Sequence, residues 1–438
     1  MLPRVRRIEP IGTSSMLDRL VRFAALAAAV LPPLAHAAPV PECAYGAYVS
    51  PAGAVVALSR PAQGAGPGAR YTFLDGRRGF LSDAAAPLRC AAGRLSARDD
   101  ARAAAWTPVR MRATPTHFRS GDVMLEGLLL EPVGVDKPPL VVTVHGSEKT
   151  SPIGLATQLL FVSQGIAVFA YDKRGTAGSG GVYTQDFIAL ADDAANAARE
   201  ARRLAGARVG RFGFLGGSQG GWVAPLAALK SGADFLEVGF GVVGTALEQD
   251  QWQVDYQLVH EHGRDPAILP KVHALTDATA DVARSGFRSG MDKVDALKQA
   301  FAGEPWLKEV DGQYSGGLLA GEVERTGAES PHVTWTYAGL DTIRALRVPQ
   351  LWVFAADDDV APSAPSIERL AAIRREGTPL RTIVFPATTH GILRIANDAD
   401  GARRTLDAYA PGYLQLLTDF AKGTTRAAYG DARWLDAP

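Results

Sequence analysis

Three shortages stand out in this sequence: two cysteines in 438 residues, no net charge, and no apolar run that would cross a membrane comfortably. Lys plus Arg and Asp plus Glu both number 46, and no basic cluster breaks the balance. That argues against nucleic acid or an anionic membrane surface as partner. The longest N-terminal apolar run, residues 23–34, is too short for a span. It follows a basic stretch around Arg19 and Arg22 and precedes Ala35-His36-Ala37. Together these read as a secretory signal peptide over 1–37, cleaved after Ala37, with no stable membrane insertion afterwards and a periplasmic or secreted product. Met16 stands just before this signal and is a second candidate start. Cys43 and Cys90 are an even pair in a chain expected to be exported, so they read as a disulfide, which could contribute roughly 4 kcal/mol by the loop-entropy estimate. What is not scarce is apolar residues, at 47 %, against 21 % charged. A sizeable core is therefore expected, and disorder is excluded.

Glycine is plentiful, and six residues use it tellingly: Gly216-Gly217-Ser218-Gln219-Gly220-Gly221. They fit G-x-S-x-G, the elbow in which a strand runs into a helix with serine on the strained turn between. A side chain at Gly216 or Gly220 would meet the neighbouring strand or helix. Residues 209–215 read as a buried strand and 222–229 as an apolar helix, so the motif has the context it needs.

An elbow serine needs a base, and the base needs an orienting acid, each at the end of a later strand. Of the histidines after Ser218, His390 alone follows a strand of suitable length, 380–385. One strand earlier, 348–355 ends in Asp357-Asp358-Asp359. Asp358 is preferred, three residues after the small strand-end residue Ala355 and shortly before Pro362; Asp359 comes second and Asp357 third. A hydroxyl attacks well only when a base takes its proton. Ser218 is thus the expected nucleophile, His390 base then acid, and Asp358 the orienter. The developing oxyanion would be met by the backbone N–H groups of Gln219 and Ser147, the latter after the strand 140–144. His145 and Gly146 are the supporting loop, with His145 a structural buttress.

From about Thr116 to Ala421 the chain resembles an α/β-hydrolase, close to the secreted bacterial branch with dienelactone hydrolases, serine aminopeptidases and acyl-CoA thioesterase-like enzymes. The resemblance rests on His145-Gly146-Ser147, Tyr171-Asp172-Lys173-Arg174-Gly175, Gly178-Ser179-Gly180-Gly181, the elbow, the acid loop and His390-Gly391. Ala355 replaces the glycine usual in that acid loop. The resemblance implies a mostly parallel, doubly wound sheet and acyl-serine chemistry without metal or cofactor. Alternating strands and helices point to the same sheet, with ligands at the strand carboxyl ends.

Around this domain (114–438) two additions are expected. Residues 38–113 form a small β-rich accessory region carrying the Cys43–Cys90 disulfide. Residues 245–340 interrupt the alternation with helical spacing and form a cap, whose aromatics serve mostly as packing and partly as an acyl pocket. Gly239–Gly244 imitates a dinucleotide loop but lacks the βαβ unit after it. His260 and His262 lack zinc-helix spacing. The Asp172–Gly175 loop is expected to be a salt-bridged turn, and Asp192-Asp193 a solvated helix face. The substrate expected is a small carboxylic ester. Alternatives are an aminopeptidase-like peptidase, with Glu248 and Asp250 as weak amine-binding candidates, an acyl thioesterase, or a non-catalytic binding protein of this fold. Oligomeric state is not written in the sequence.

Overall fold

Residues 43–61, 68–99, 104–398 and 403–436 are described by a computed structural model. The expected signal peptide lies outside them. The framework is a run of six parallel strands, in the spatial order Ala167–Tyr171, Leu140–Val144, Phe212–Gly217, Phe235–Gly239, Gln350–Ala355 and Leu380–Phe385. They are rich in apolar residues, many of them β-branched or aromatic, and almost wholly buried, as strands covered on both faces must be. A long antiparallel hairpin, Met111–Ser120 with Val123–Pro132, closes one edge, and Arg433–Trp434 closes the other.

Helices Phe187–Ala205, Gly220–Ser231 and Ser363–Arg375 bury one face, and Ala156–Ser163 with Tyr413–Ala421 bury the opposite one. The mostly parallel, doubly wound sheet expected from the sequence is present. Two boundaries differ. The strand expected at 209–215 runs instead over Phe212–Gly217, because Gly210 donates to Pro138 O in the loop before it. The expected limit at 113/114 falls inside Met111–Ser120, so Met111, Arg112 and Ala113 belong to the large sheet.

The N-terminal strands form a separate five-stranded antiparallel sheet. Their alternation turns Tyr48, Val56, Leu58, Tyr71 and Phe73 into a small core with Leu88, Leu95 and Trp106. Ala47 and Ala57 face the other way, into the core that covers Ala156–Ser163. Cys43 and Cys90 are joined, tying this sheet to the hairpin Leu88–Ala91/Arg94–Ala97. The turn at Gly76 meets the ribbon Arg403–Tyr409: Tyr409 N donates to Gly76 O at 2.9 Å. A Cβ on Gly76 would lie 2.6 Å from Tyr409 O, which with its φ of 99° makes glycine necessary there.

Between Phe235–Gly239 and Gln350–Ala355 lies the helical insertion, from Ala246–Tyr256 to Leu340–Ala345. Thr245 and Glu248 form a capping box that starts it. Leu269–Arg284 is its longest helix, and the insertion builds two small cores of its own, one around Leu318 and Val282, the other around Trp306 and Leu258. Among the described residues no helix is long and apolar enough to cross a membrane.

Candidate active site

Strand Phe212–Gly217 ends immediately before Ser218, and helix Gly220–Ser231 begins after only Ser218 and Gln219. Ser218 takes the whole reversal, at φ 52°, a backbone region that a non-glycine residue enters only under constraint. Its N–H donates to Gly239 O on the adjacent strand, and its carbonyl accepts from Gly221 N at 2.7 Å. The glycines make this possible by their smallness. A Cβ on Gly220 would stand 2.5 Å from Val144 O, and one on Gly216 2.5 Å from Gly220 O.

His390 sits on the turn beyond Leu380–Phe385 and Thr388–Thr389. Its Nε2 is 3.0 Å from Ser218 Oγ, and its Nδ1 is 3.0 Å from both oxygens of Asp358. An ionised carboxylate only accepts, so Nδ1 carries the proton and Nε2 presents its lone pair to the serine hydroxyl. Phe240 packs edge-on against the imidazole, 5.0 Å between ring centres.

The three neighbouring aspartates have different partners. Asp357 forms an ion pair with Arg403 at 2.7 Å, and Asp359 accepts from Thr389 Oγ1 at 2.5 Å. Asp358 is 1 % exposed, faces His390, and also accepts from Val360 N and Ala361 N. Two backbone donors and an imidazole N–H compensate a charge that burial would otherwise disfavour.

The loop after Leu140–Val144 closes the other side. A Cβ on Gly146 would come within 3.3 Å of Ser218 Cβ, so this backbone abuts the serine. The N–H groups of Ser147 and Gln219 have no protein acceptor among the described residues. Tyr183 Oη donates to Ser147 O at 2.6 Å, and Lys173 Nζ donates to Gly146 O at 2.5 Å. The His145 side chain is 7 % exposed, neither ring nitrogen is hydrogen-bonded within the described residues, and burial with the nearby Lys173 charge brings its pKa down to about 3. It is a neutral packing group at any ordinary pH.

The Asp172–Gly175 turn is ion-paired through Arg174, which grips Asp193 with two bonds of 2.7 Å. The solvated face expected for Asp192-Asp193 holds for Asp192, which is exposed and pairs with Lys230, and fails for Asp193, which is 0 % exposed and a buried anchor. The helix turns Asp193 inward, where Arg174 meets it. Glu248 and Asp250 are likewise committed elsewhere. Glu248 binds Arg369 and caps its own helix, and Asp250, buried, accepts from Tyr314 N, Ser315 N and Ser315 Oγ. Neither lines the cavity.

That cavity, about 820 Å³, opens over Ser218 and His390. The insertion contributes Tyr314, Val333 and Trp335 to its wall, whereas Trp306 lies in the insertion's own core. Arg78 of the N-terminal sheet also reaches it, against Asp407 and over the Tyr409 ring. Local sequence carried no sign of Arg78, Tyr183 or Phe240, because each arrives by long-range packing. Lys173 was visible as part of a motif, but its contact with the loop at Gly146 was not.

Comparison with known proteins adds the following. The sequence model of the family described as X-Pro dipeptidyl-peptidase (S15 family) matches residues 90–391. No curated protein sequence matches the chain. Among solved structures, an esterase of Pyrococcus furiosus is similar at 15 % identity and TM-score 0.41, over 64 % of this chain and 84 % of that one. An acylaminoacyl peptidase of Pyrococcus horikoshii is similar at 16 % and 0.43, over 89 % of this chain and 52 % of its own. A puromycin hydrolase gives 16 % and 0.44, over 86 % and 46 %. The chain thus spans about half the length of the latter two.

Proposed function

The chain belongs to the X-Pro dipeptidyl-peptidase (S15) family, serine hydrolases of α/β-hydrolase type, and on that premise we propose that it is an exported enzyme cleaving carboxylic esters through an acyl-serine intermediate. One observation carries the reading: an unbroken hydrogen-bonded series from buried Asp358 through His390 to the Ser218 hydroxyl, at the floor of an open cavity. The Cys43–Cys90 bond is consistent with an oxidising compartment.

In the proposed cycle Ser218 Oγ attacks the ester carbonyl carbon while its proton passes to His390 Nε2. The carbonyl π pair moves onto oxygen, where the N–H groups of Ser147 and Gln219 receive the charge. Collapse expels the alcohol, which takes the proton from His390 and leaves the acyl group on Ser218. Water then attacks the acyl carbon, giving a proton to His390, which passes that proton to Ser218 Oγ as the acid departs. Asp358 keeps the imidazole oriented and stabilises its protonated form throughout.

A second reading, a peptidase acting at free N-termini, is favoured by the family and by Glu148. Its carboxylate enters the cavity within 2.5 Å of where a Gly146 Cβ would stand, placed to hold an ammonium. Both readings share the acyl-serine step. Intact mass after fluorophosphonate treatment tests that step: one adduct is expected on the wild type and none on Ser218→Ala. No adduct on either overturns it and favours a non-catalytic binding protein. Turnover of nitrophenyl esters against X-Pro anilides then separates the two.

A further inference from the structure

A buried cation is costly, and Lys173 is 3 % exposed. The one hydrogen bond of its ammonium among the described residues goes to Gly146 O, at 2.5 Å. The adjacent Asp172 does not neutralise it directly: that carboxylate accepts from Ser151 Oγ at 2.5 Å and from Gly178 N at 3.1 Å. The acceptor chosen is informative, because the Gly146 carbonyl and the Ser147 N–H belong to one peptide unit. In a trans peptide these two groups point to opposite edges of a plane. Holding the carbonyl on one side therefore fixes where the N–H points on the other. The next carbonyl, Ser147 O, is held by Tyr183 Oη, so two side chains from the same stretch of chain grip consecutive peptides of this loop.

We propose that Lys173 is a positioning residue for the oxyanion site: its ammonium holds and polarises the Gly146–Ser147 peptide so that the Ser147 N–H is aimed at, and strengthened for, the charge developing beside Ser218. The proposal rests on the acyl-serine reading above. A charge-assisted bond to a carbonyl withdraws density from the whole amide and makes its N–H a better donor. A Cβ on Gly146 would stand 3.3 Å from Ser218 Cβ, so the residue that shares this peptide abuts the reacting serine.

The group has a pH signature. Burial lowers the Lys173 pKa to about 8, with the Glu148 carboxylate offsetting part of the effect. The other groups around it are the neutral His145, Tyr183, whose phenol burial pushes up to about 12 and whose ring lies 5.3 Å from Nζ, and Lys149 over the same ring. His145 and Tyr183, with values of about 3 and about 12, do not change charge between pH 7 and 10. The ammonium is present below about pH 8 and lost above it.

The experiment is steady-state kinetics on an activated ester from pH 6 to 10, for wild type, Lys173→Met and Lys173→Arg. For wild type, kcat falls above about pH 8. For Lys173→Met, kcat at pH 7 is about 10- to 100-fold lower with KM within about 2-fold, and the alkaline limb is absent. Lys173→Arg recovers part of kcat and moves the limb upward. A phenylboronic acid, which forms the tetrahedral anion, loses affinity in proportion to kcat. A wild-type kcat flat to pH 10 overturns the proposal without any variant, so a methionine variant that fails to fold leaves it decidable. Unchanged kcat in folded Lys173→Met, or equal losses in kcat and 1/KM with the limb retained, also overturns it. Absence of a wild-type fluorophosphonate adduct overturns the acyl-serine reading and this proposal together; an adduct with an indifferent Lys173→Met overturns this one alone.

Discussion

The parallel sheet and the helical insertion bury their polar groups in opposite ways. At the carboxyl ends of the strands, Asp358 is buried with donors aimed at it from an imidazole and two backbone amides, and a serine and a histidine complete the series. In the insertion, Asp250 is buried just as deeply, but its partners Tyr314 and Ser315 belong to the insertion itself. The first carboxylate is directed at a cavity and the second joins two helices. In the proposed reaction, chemistry and substrate shape are therefore held by different parts of the chain: the sheet would fix the reacting groups, and the insertion lends wall residues such as Trp335 and Tyr314 to the cavity.

The sharpest way to break this contrast is at the acid. Asp358→Asn or His390→Ala should lower kcat by about 10⁴-fold, by analogy with other serine triads. Asp357→Asn and Asp359→Asn, whose partners are Arg403 and Thr389, should change it by less than about 10-fold. Equal losses across the three aspartates in steady-state assays would erase the distinction between them.

On the insertion side, Trp335→Ala should alter selectivity rather than chemistry. The ratio of kcat/KM for a bulky acyl ester to that for an acetyl ester should shift by about 10-fold, the scale of a few methylenes in an apolar pocket. The acetyl-ester kcat should stay within about 2-fold. A uniform fall for both esters would mean that the insertion takes part in the reaction itself.

The smallest effect on turnover, and a visible one on stability, concerns Asp250. Burial raises its pKa to about 6, with bonds from Ser315 and Tyr314 opposing. A folded-state pKa above the unfolded value of about 3.8 stabilises the fold fully below pH 4. That advantage, on the order of 3 kcal/mol, is lost as pH rises through about 6. The Tm of wild type minus that of Asp250→Asn should therefore fall between pH 4 and 7. A constant difference would show that the carboxylate stays in one protonation state throughout.

How much of this was legible in the sequence follows the range of the interactions. The strands and the Ser218 turn announce themselves locally, because glycine spacing and apolar runs are properties of neighbouring residues. Asp193 was misread because a run of charge looks solvated until a cation from another element, Arg174, is seen to meet it. Tyr183 and Arg78 gave no signal, since what brings them to the cavity is a contact with residues far along the chain. The accessory region was legible as β-structure, but its attachment to the ribbon beyond His390 was not.

That attachment also sets an order of manufacture. Arg70 and Asp407, which join the N-terminal sheet to the ribbon, are 337 positions apart. At roughly 5–20 residues per second of synthesis, the early sheet exists for roughly 15–65 s before its docking surface does. Cys43 and Cys90, 47 positions apart, can meet long before then. The loop carrying His390 gains its outer support only when nearly the whole chain has emerged, and a nascent chain carries its serine through 172 further residues of synthesis with no histidine beside it.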